Sequence, residues 1–358
     1  MTGAVGRRKL SPQLRLADLT PSLHPRETGT PEDYMASITQ RRKAPQWGTR
    51  LLPAVILLWA WTVPLEAQAR DRGPILLELP ASTRALALGN SFVLGSRDSD
   101  AIFYQPGQLN QSSGFAGSIQ RYGSPSTLIT LSAGGSWLSG GVALGVQHLS
   151  YGAGGQETLG GGIAPYLSAD VGSLRSNGDA GVSELVISAG YGRTFKGLQV
   201  GMVGKLIEQR FGPNKTATGA VDLGVSTSKG PVSLGVAVRN LGPDMTFFDE
   251  KVPLPLSFGV GVSTQRAPVG PLDLGATGGL NYRVDGAVVP SAGLEVAYWP
   301  VTGRTFIGRI GFRHLPEEQS ACPVTFGGSF VGDDIILEYA YEGFESGSGS
   351  HRFSVGWR

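Results

Sequence analysis

Four histidines, His24, His148, His314 and His351, and a single cysteine, Cys322, are the side chains best suited to hold a metal or attack a substrate. They lie far apart, with no His-x-x-x-His pair and no second cysteine, so the spacing that a zinc centre needs is missing. The four histidines are expected to be structural, and Cys322 a small half-buried side chain. Asp98 and Asp100 suggest calcium, but two carboxylates without a further ladder of oxygen ligands are expected instead to solvate a turn. No nucleophile elbow, Walker loop or strand-following G-x-G-x-x-G is present. The sequence therefore predicts no catalytic residue, no metal, no cofactor and no enzyme, and a membrane hydrolase would need a Ser and a His brought face to face.

The charges that do fall in a pattern are Arg309 and Arg313, opposite Phe306, Ile310 and Phe312, and Glu338 and Glu342, opposite Ile335, Leu337, Tyr339 and Tyr341. A two-residue period of this kind belongs to strands with one apolar and one polar face. Residues 128–138 alternate Ile129, Leu131, Ala133 and Trp137 against Thr130, Ser132, Gly134 and Ser136. Residues 183–195 repeat the pattern, with Val186 and Arg193 as exceptions. Lys196-Gly197, Lys229-Gly230-Pro231, Asp285-Gly286 and Asp333-Asp334 separate such segments as turns.

Composition carries the reading further. Glycine supplies 54 of 358 residues while charged residues make up only 16%, and glycine at that density suits hairpins, bulges and close packing in a curved sheet. The net charge of +2 owes much to the first hundred residues, so nucleic-acid binding gains no support. The segments, of about nine to thirteen residues, are long enough for tilted strands to cross a hydrocarbon layer. About fifteen candidates fall between Phe115 and Trp357, yet bacterial single-chain barrels have even strand numbers. The weakest, residues 159–171, is broken by Pro165, which leaves an all-β fold: a transmembrane antiparallel β-barrel of about 14 strands. On this reading Arg309, Arg313, Glu338 and Glu342 face the lumen, where they brace the wall or meet cargo. A secreted soluble β-protein is the competing fold.

Residues 41–69 combine a basic stretch, an apolar run over residues 51–65, and Ala67-Gln68-Ala69, the order expected of a secretory signal peptide cleaved after Ala69. A transmembrane helix is the alternative, but the run is short for a span and is interrupted by Pro53 and Pro64. Residues 1–34 carry four prolines without apolar periodicity and are expected to be disordered or untranslated, with Met35 as the start. The expected organisation is thus residues 1–34 as an extension, 35–69 as signal peptide, 70–113 as an N-terminal hatch or plug with a short helix, and 114–358 as an outer-membrane barrel.

Three stretches together resemble the PorV/PorQ family, relatives of the FadL-like long-chain fatty-acid transporters, over approximately residues 75–358. The first runs from Ser82-Thr83-Arg84 through Leu88-Gly89-Asn90 to Asp98-Ser99-Asp100 and Tyr104-Gln105-Pro106-Gly107-Gln108-Leu109; Gln105, Gly107 and Gln108 depart from the family's Asn-Pro-Ala-Gly-Leu-like segment. The second is Val238-Arg239-Asn240-Leu241-Gly242-Pro243 with the loop to Leu254-Pro255-Leu256, and the third joins Leu337-Glu338-Tyr339-Ala340-Tyr341 to His351-Arg352-Phe353. The resemblance implies a hatch in or at the barrel, with Arg84, Asn90, Asp98, Asp100, Gln105 and Pro106 as its candidate residues. It also implies an outer-membrane location and passage or binding of hydrophobic or secreted cargo; the alternative is a non-conducting adaptor of a type IX secretion system. Expected partners are outer-membrane lipid, hydrophobic small molecules or secreted proteins, and the barrel-assembly machinery, which reads a C-terminal strand like residues 351–358. Phe247 and Phe248, beside Asp244, Asp249 and Glu250, form an aromatic pair expected either to meet a partner or to pack on the rim.

Overall fold

The structure, a computed structural model, describes residues 73–91, 94, 98–122, 126–151, 182–247, 250–315, 321–344 and 349–357. The expected extension 1–34, the signal region 35–69 with Ala69, the Pro165-broken segment 159–171, Phe248 and the side chain of Phe247 lie outside the described residues.

Period-two alternation produces strands along most of the remaining chain. They are β1 (Gly114–Arg121), β2 (Thr127–Trp137), β3 (Gly140–Ser150), β4 (Val182–Phe195), β5 (Leu198–Phe211), β6 (Asn214–Lys229), β7 (Val232–Leu241), β8 (Met245–Phe247), β9 (Glu250–Val252), β10 (Ser257–Thr264), β11 (Ala267–Val269), β12 (Leu272–Arg283), β13 (Val288–Val301), β14 (Arg304–Arg313), β15 (Ala321–Val331), β16 (Ile335–Phe344) and β17 (Gly349–Trp357). All but the three short strands β8, β9 and β11 join in a closed antiparallel barrel of 14 strands, sealed where β1 pairs with β17 from Phe115↔Trp357 to Arg121↔His351. Closure removes the free sheet edges that would otherwise recruit other chains. Strand length ranges from 8 residues in β1 to 16 in β6, wider than the alternation suggests, because pairing continues past the apolar stretch into polar ends.

One end of the barrel carries short connections. Lys196-Gly197 joins β4 to β5 with φ of 50° and 83°, the left-handed pair that a tight hairpin demands. Leu138 and Ser139 make the same turn between β2 and β3 with φ of 43° and 61°, although neither residue type favours that region. Both barrel termini, Gly114 and Trp357, lie at this end. Ser150 and Val182, and Leu241 and Ser257, the strand ends flanking the longer connections from β3 to β4 and from β7 to β10, lie at the other.

The outward positions are apolar: Leu144, Met202, Leu206, Leu294 and Ile310 are each more than half exposed. Trp137, Phe195, Tyr298, Trp299, Phe306 and Trp357 cluster towards the short-turn end of this surface. Inward positions are small or polar, as in β14, where Arg309, Gly311 and Arg313 are buried between exposed Phe306, Ile310 and Phe312.

The lumen is filled by the described residues among 73–112, a plug built from the helix α1 (Thr83–Ala87) and 3-10 turns at Ile75–Leu77, Ser99–Phe103 and Pro106–Gln111. Near the long-loop end, Leu76 packs among Tyr122, Leu128, Leu149, Tyr151, Val186 and Ile207. Lower down, Leu86 and Ala87 meet Ala340, and Ile102, Phe103 and Leu109 meet Ala143 and Val203. Leu76, Leu86, Ile102 and Leu109 are fully buried, each stabilising the docked plug by roughly 1.5–3 kcal/mol. The wall admits so close a plug because inward positions lack side chains. A β-carbon on Gly141 would overlap the Leu109 carbonyl, and one on Gly311 would overlap the backbone of Gly89. Part of the glycine enrichment is therefore a contact surface for the plug.

Candidate functional site: a cleft between plug and wall

α1 starts at Ser82, whose side chain caps Ala85 N–H, and ends in two left-handed residues, Gly89 and Asn90, that turn the chain back. This short helix aims Arg84 at the wall. Its guanidinium pairs with Asp98 of the plug at 3.2 Å and with Glu295 of β13 at 3.2 Å. Glu295 also accepts from Arg309 Nε at 2.7 Å, and Arg309 donates from Nη1 to Glu338 at 2.8 Å. Arg266, from the β10–β11 connection, approaches Glu295 at 3.5 Å. Burial opposes the charge on Arg84, but Glu295, Asp98 and Glu338 outweigh it and raise its pKa. Three arginines and three carboxylates thus neutralise one another across plug and wall.

A second anchor is Arg352 of β17, fully buried. It donates to the Pro80 carbonyl at 2.6 Å, to the Ala81 carbonyl, to Ser118 Oγ at 2.7 Å, and to Gln120 Oε1 and Thr130 Oγ1 at 3.0 Å. A third is Gln105, whose Nε2 donates to the carbonyls of Val225 at 3.0 Å and Val236 at 3.2 Å.

Between these anchors the plug stands away from one side of the wall, leaving a small cleft of about 90 Å3. Leu76, Leu77, Leu79 and Phe103 of the plug and Leu280, Val289 and Leu315 of the wall give it an apolar lining. The polar pole comes from β5, β6, β7 and β12. In the pairing of β6 with β7, Val221 faces Leu241 and Leu223 faces Val238, so Arg239 and Asn240 both stand opposite Asp222. Such a two-against-one bulge re-aims side chains, and here consecutive residues both line the cleft. Asp222 accepts from the Asn240 N–H at 2.7 Å and pairs with Lys205 at 2.6 Å, while Lys205 also donates to Asn240 Oδ1. Arg239 is left with Asn281, to whose Oδ1 its Nη2 donates at 3.1 Å. Among the described residues, Arg239 Nε and Asn90 Oδ1 are buried side-chain atoms without a partner. Tyr104 closes the floor: its hydroxyl accepts from Ala81 N–H and Ser82 N–H, at 2.5 and 2.6 Å, and burial pushes the phenol up to about 12.

Asp98 and Asp100 do not solvate a turn. Asp98 is bound to Arg84, and Asp100 accepts from Ser132 Oγ at 2.6 Å within a chain that includes Ser99 Oγ. The reason is placement: the 3-10 turn that carries them is pressed against β2 inside the lumen. Burial raises the Asp100 pKa to about 6, against the pull of Ser132 and Arg352. A carboxyl whose folded pKa is raised stabilises the docked state below its unfolded value and loses that contribution as pH rises through the folded one, here from about 4 to about 6. Amide exchange in residues 98–112, corrected for intrinsic rates, is therefore expected to be slower at about pH 5 than at about pH 7.5. Asp100→Asn is expected to make the two equal; an unchanged pH difference in that variant would show that another group is responsible.

The candidate hatch residues fall in one plug, but with different roles. Arg84, Asp98 and Asp100 bind the wall network, Gln105 bonds the wall backbone, Asn90 lines the cleft, and Pro106 opens the last 3-10 turn at the short-turn end. The candidate lumen residues are paired across strands, Arg309 with Glu338 and Arg313 with Glu342. Phe247 ends β8, outside the barrel sheet. Sequence reasoning missed Lys205, Asp222 and Glu295 as site residues, and quoted Arg239, Asn240 and Arg352 only within motifs. Their signal was a charge on the small or polar face of a strand. His148 and His351 are on strands at outward positions, and His351 Nδ1 shares a hydrogen bond with Tyr339 at 2.9 Å.

No protein-family description and no curated protein matches this sequence. Among solved structures the chain is similar to the toluene transporter TodX of Pseudomonas putida, at 12% identity and a TM-score of 0.49, covering 82% of this chain and 98% of that one. It is also similar to the toluene transporter TbuX of Ralstonia pickettii, at 12% identity and a TM-score of 0.46, covering 76% and 97%, and to the monoaromatic hydrocarbon channel CymD, at 11% and 0.48, covering 79% and 97%.

Proposed function

We propose that this chain is an outer-membrane barrel that binds an amphiphilic cargo molecule in the cleft between plug and wall and passes it across the membrane without chemistry. The membrane reading is supported by the apolar outward surface, because soluble monomers do not expose contiguous apolar patches of that extent, and by the aromatic residues towards its short-turn rim. Short turns and both termini at one end mark that end as periplasmic. β17, closing the barrel against β1, is the strand offered to the assembly machinery.

The cargo reading rests on one observation: Arg239, turned inward by a bulge and left with a buried unpartnered Nε, stands among the polar residues of a cleft of mixed lining to which Leu76, Leu77, Leu79 and Phe103 contribute apolar surface. An anionic or strongly accepting head group fits that pole, and a hydrocarbon body fits the leucines and Phe103. Detergent-solubilised protein is expected to bind a short-chain carboxylate such as butyrate, followed by calorimetry, about tenfold more tightly than its methyl ester, the difference made by one charge-assisted hydrogen bond. Arg239→Gln is expected to abolish that preference. Equal binding of acid and ester by the unaltered protein would refute the role of the pole.

The number of direct bonds from plug to wall favours one second reading, a non-conducting adaptor that receives secreted proteins, of the type IX kind. It would be preferred if the folded barrel bound neither acid nor ester and copurified in stable complex with secreted proteins.

A further inference from the structure

The rim at the long-loop end carries a feature that the cleft does not use. Following the strand pairing sideways, Lys215 of β6 faces Arg210 of β5, which faces Ser183 of β4. The row continues through Ser150 and Thr127 to Arg121 of β1, and Arg121 faces His351 of β17. Alternation turns every one of these positions outward, since their neighbours Glu184, Leu149, Leu128, Gln120 and Arg352 are buried in the lumen. Seven adjoining strands thus present a run of hydrogen-bond donors in which three members are cationic, one is a histidine and none is a carboxylate.

The next outward row, one pleat towards the short-turn end, contains Leu185, His148, Ile129, Ile119 and Phe353, about 7 Å away along each strand. Its one carboxylate, Glu208, is held by Lys215 at 2.6 Å. Arg121 and Arg210 are exposed and, among the described residues, neither has an ion-pair partner. A basic and hydroxyl row lying directly against a largely apolar surface matches a molecule with an anionic head and acyl chains, the head at the row and the chains below it.

We propose that this face, spanning β6, β5, β4, β3, β2, β1 and β17 at the long-loop rim, binds a lipid with an anionic phosphate head group in the leaflet that surrounds that end. Charge complementarity selects the occupant: Arg121 and Arg210 offer guanidinium forks suited to phosphate oxygens, and Ser183 and Ser150 supply further donors between them. A protein partner would need carboxylates facing the row and would have no use for the hydrocarbon-bearing row beneath it.

The test uses the full chain in neutral detergent micelles, its folding checked by heat-modifiable migration, titrated with phosphatidylglycerol or phosphatidylcholine and read by native mass spectrometry. The unaltered protein is expected to retain phosphatidylglycerol in preference to phosphatidylcholine. The double variant Arg121→Gln, Arg210→Gln is expected to bind phosphatidylglycerol about 30-fold more weakly, the effect of two basic residues near a charged head group. Arg193→Gln, at the opposite rim, is expected to keep the preference. The proposal fails if the unaltered protein does not distinguish the two lipids, if the double variant still does, if Arg193→Gln loses the preference equally, or if inorganic phosphate alone displaces the lipid, since that would mark a free-anion site. These outcomes are independent of Arg239 and of what the cleft carries.

Discussion

Arg352→Met is expected to free the plug from the barrel seam, destabilising the docked state by about 3–5 kcal/mol, while the barrel itself stays folded and heat-modifiable. Arg352 is fully buried and serves five acceptors, two of them the plug carbonyls of Pro80 and Ala81. Methionine fills much of the same space but donates nothing, so those carbonyls and Gln120, Ser118 and Thr130 lose a charged donor in a place water does not readily reach. The strand pairing of Arg352 with Gln120 and Ala340 is made by backbone and survives. Amide exchange should rise sharply across residues 80–91 and change little in β16 and β17. Equal acceleration of strands and plug would mean that Arg352 supports the barrel rather than the plug.

The second large effect is expected at Glu295. In Glu295→Ala, Arg309 keeps only Glu338 and Arg84 keeps only Asp98, and the buried cluster becomes cationic by one charge. Leaving a buried charge short of its partner costs about 3–5 kcal/mol. Pairing Glu295→Ala with Arg84→Met should recover part of the loss, because the second change removes one surplus cation. Proteolysis of the plug, followed in the single and double variants, measures the coupling. Additive losses would contradict the network.

Strand content was legible because the alternation is strong where one face is outward and apolar and the other faces the lumen. Ile129 and Leu131 against Thr130 and Ser132, or Phe306 and Ile310 against Arg309, left little choice. Turns were legible where their chemistry is standard, as at Lys196-Gly197, and illegible at Leu138-Ser139, where two residues with no preference for positive φ adopt it. The lumen charges Arg309 and Glu338 could be picked out by face alone. Their shared partner could not: Glu295 meets Arg84 across 211 residues of sequence, and only closure of the barrel around the plug brings the four together. The polar pole of the cleft was hidden for a different reason. A bulge breaks the two-residue period at Arg239-Asn240, so the rule that located the other inward residues assigns one of these two to the outside.

The claim on which the rest depends is that the plug closes the lumen and is held there by its bonds to the wall. Planar-bilayer recording on the full chain decides it. Silence from the unaltered protein, with steady ohmic steps appearing in Arg352→Met, would show a lumen closed by an anchored plug. Steady open-pore conductance from the unaltered protein would mean that the plug does not close the barrel, and the cleft would then be part of an aqueous channel rather than a binding site.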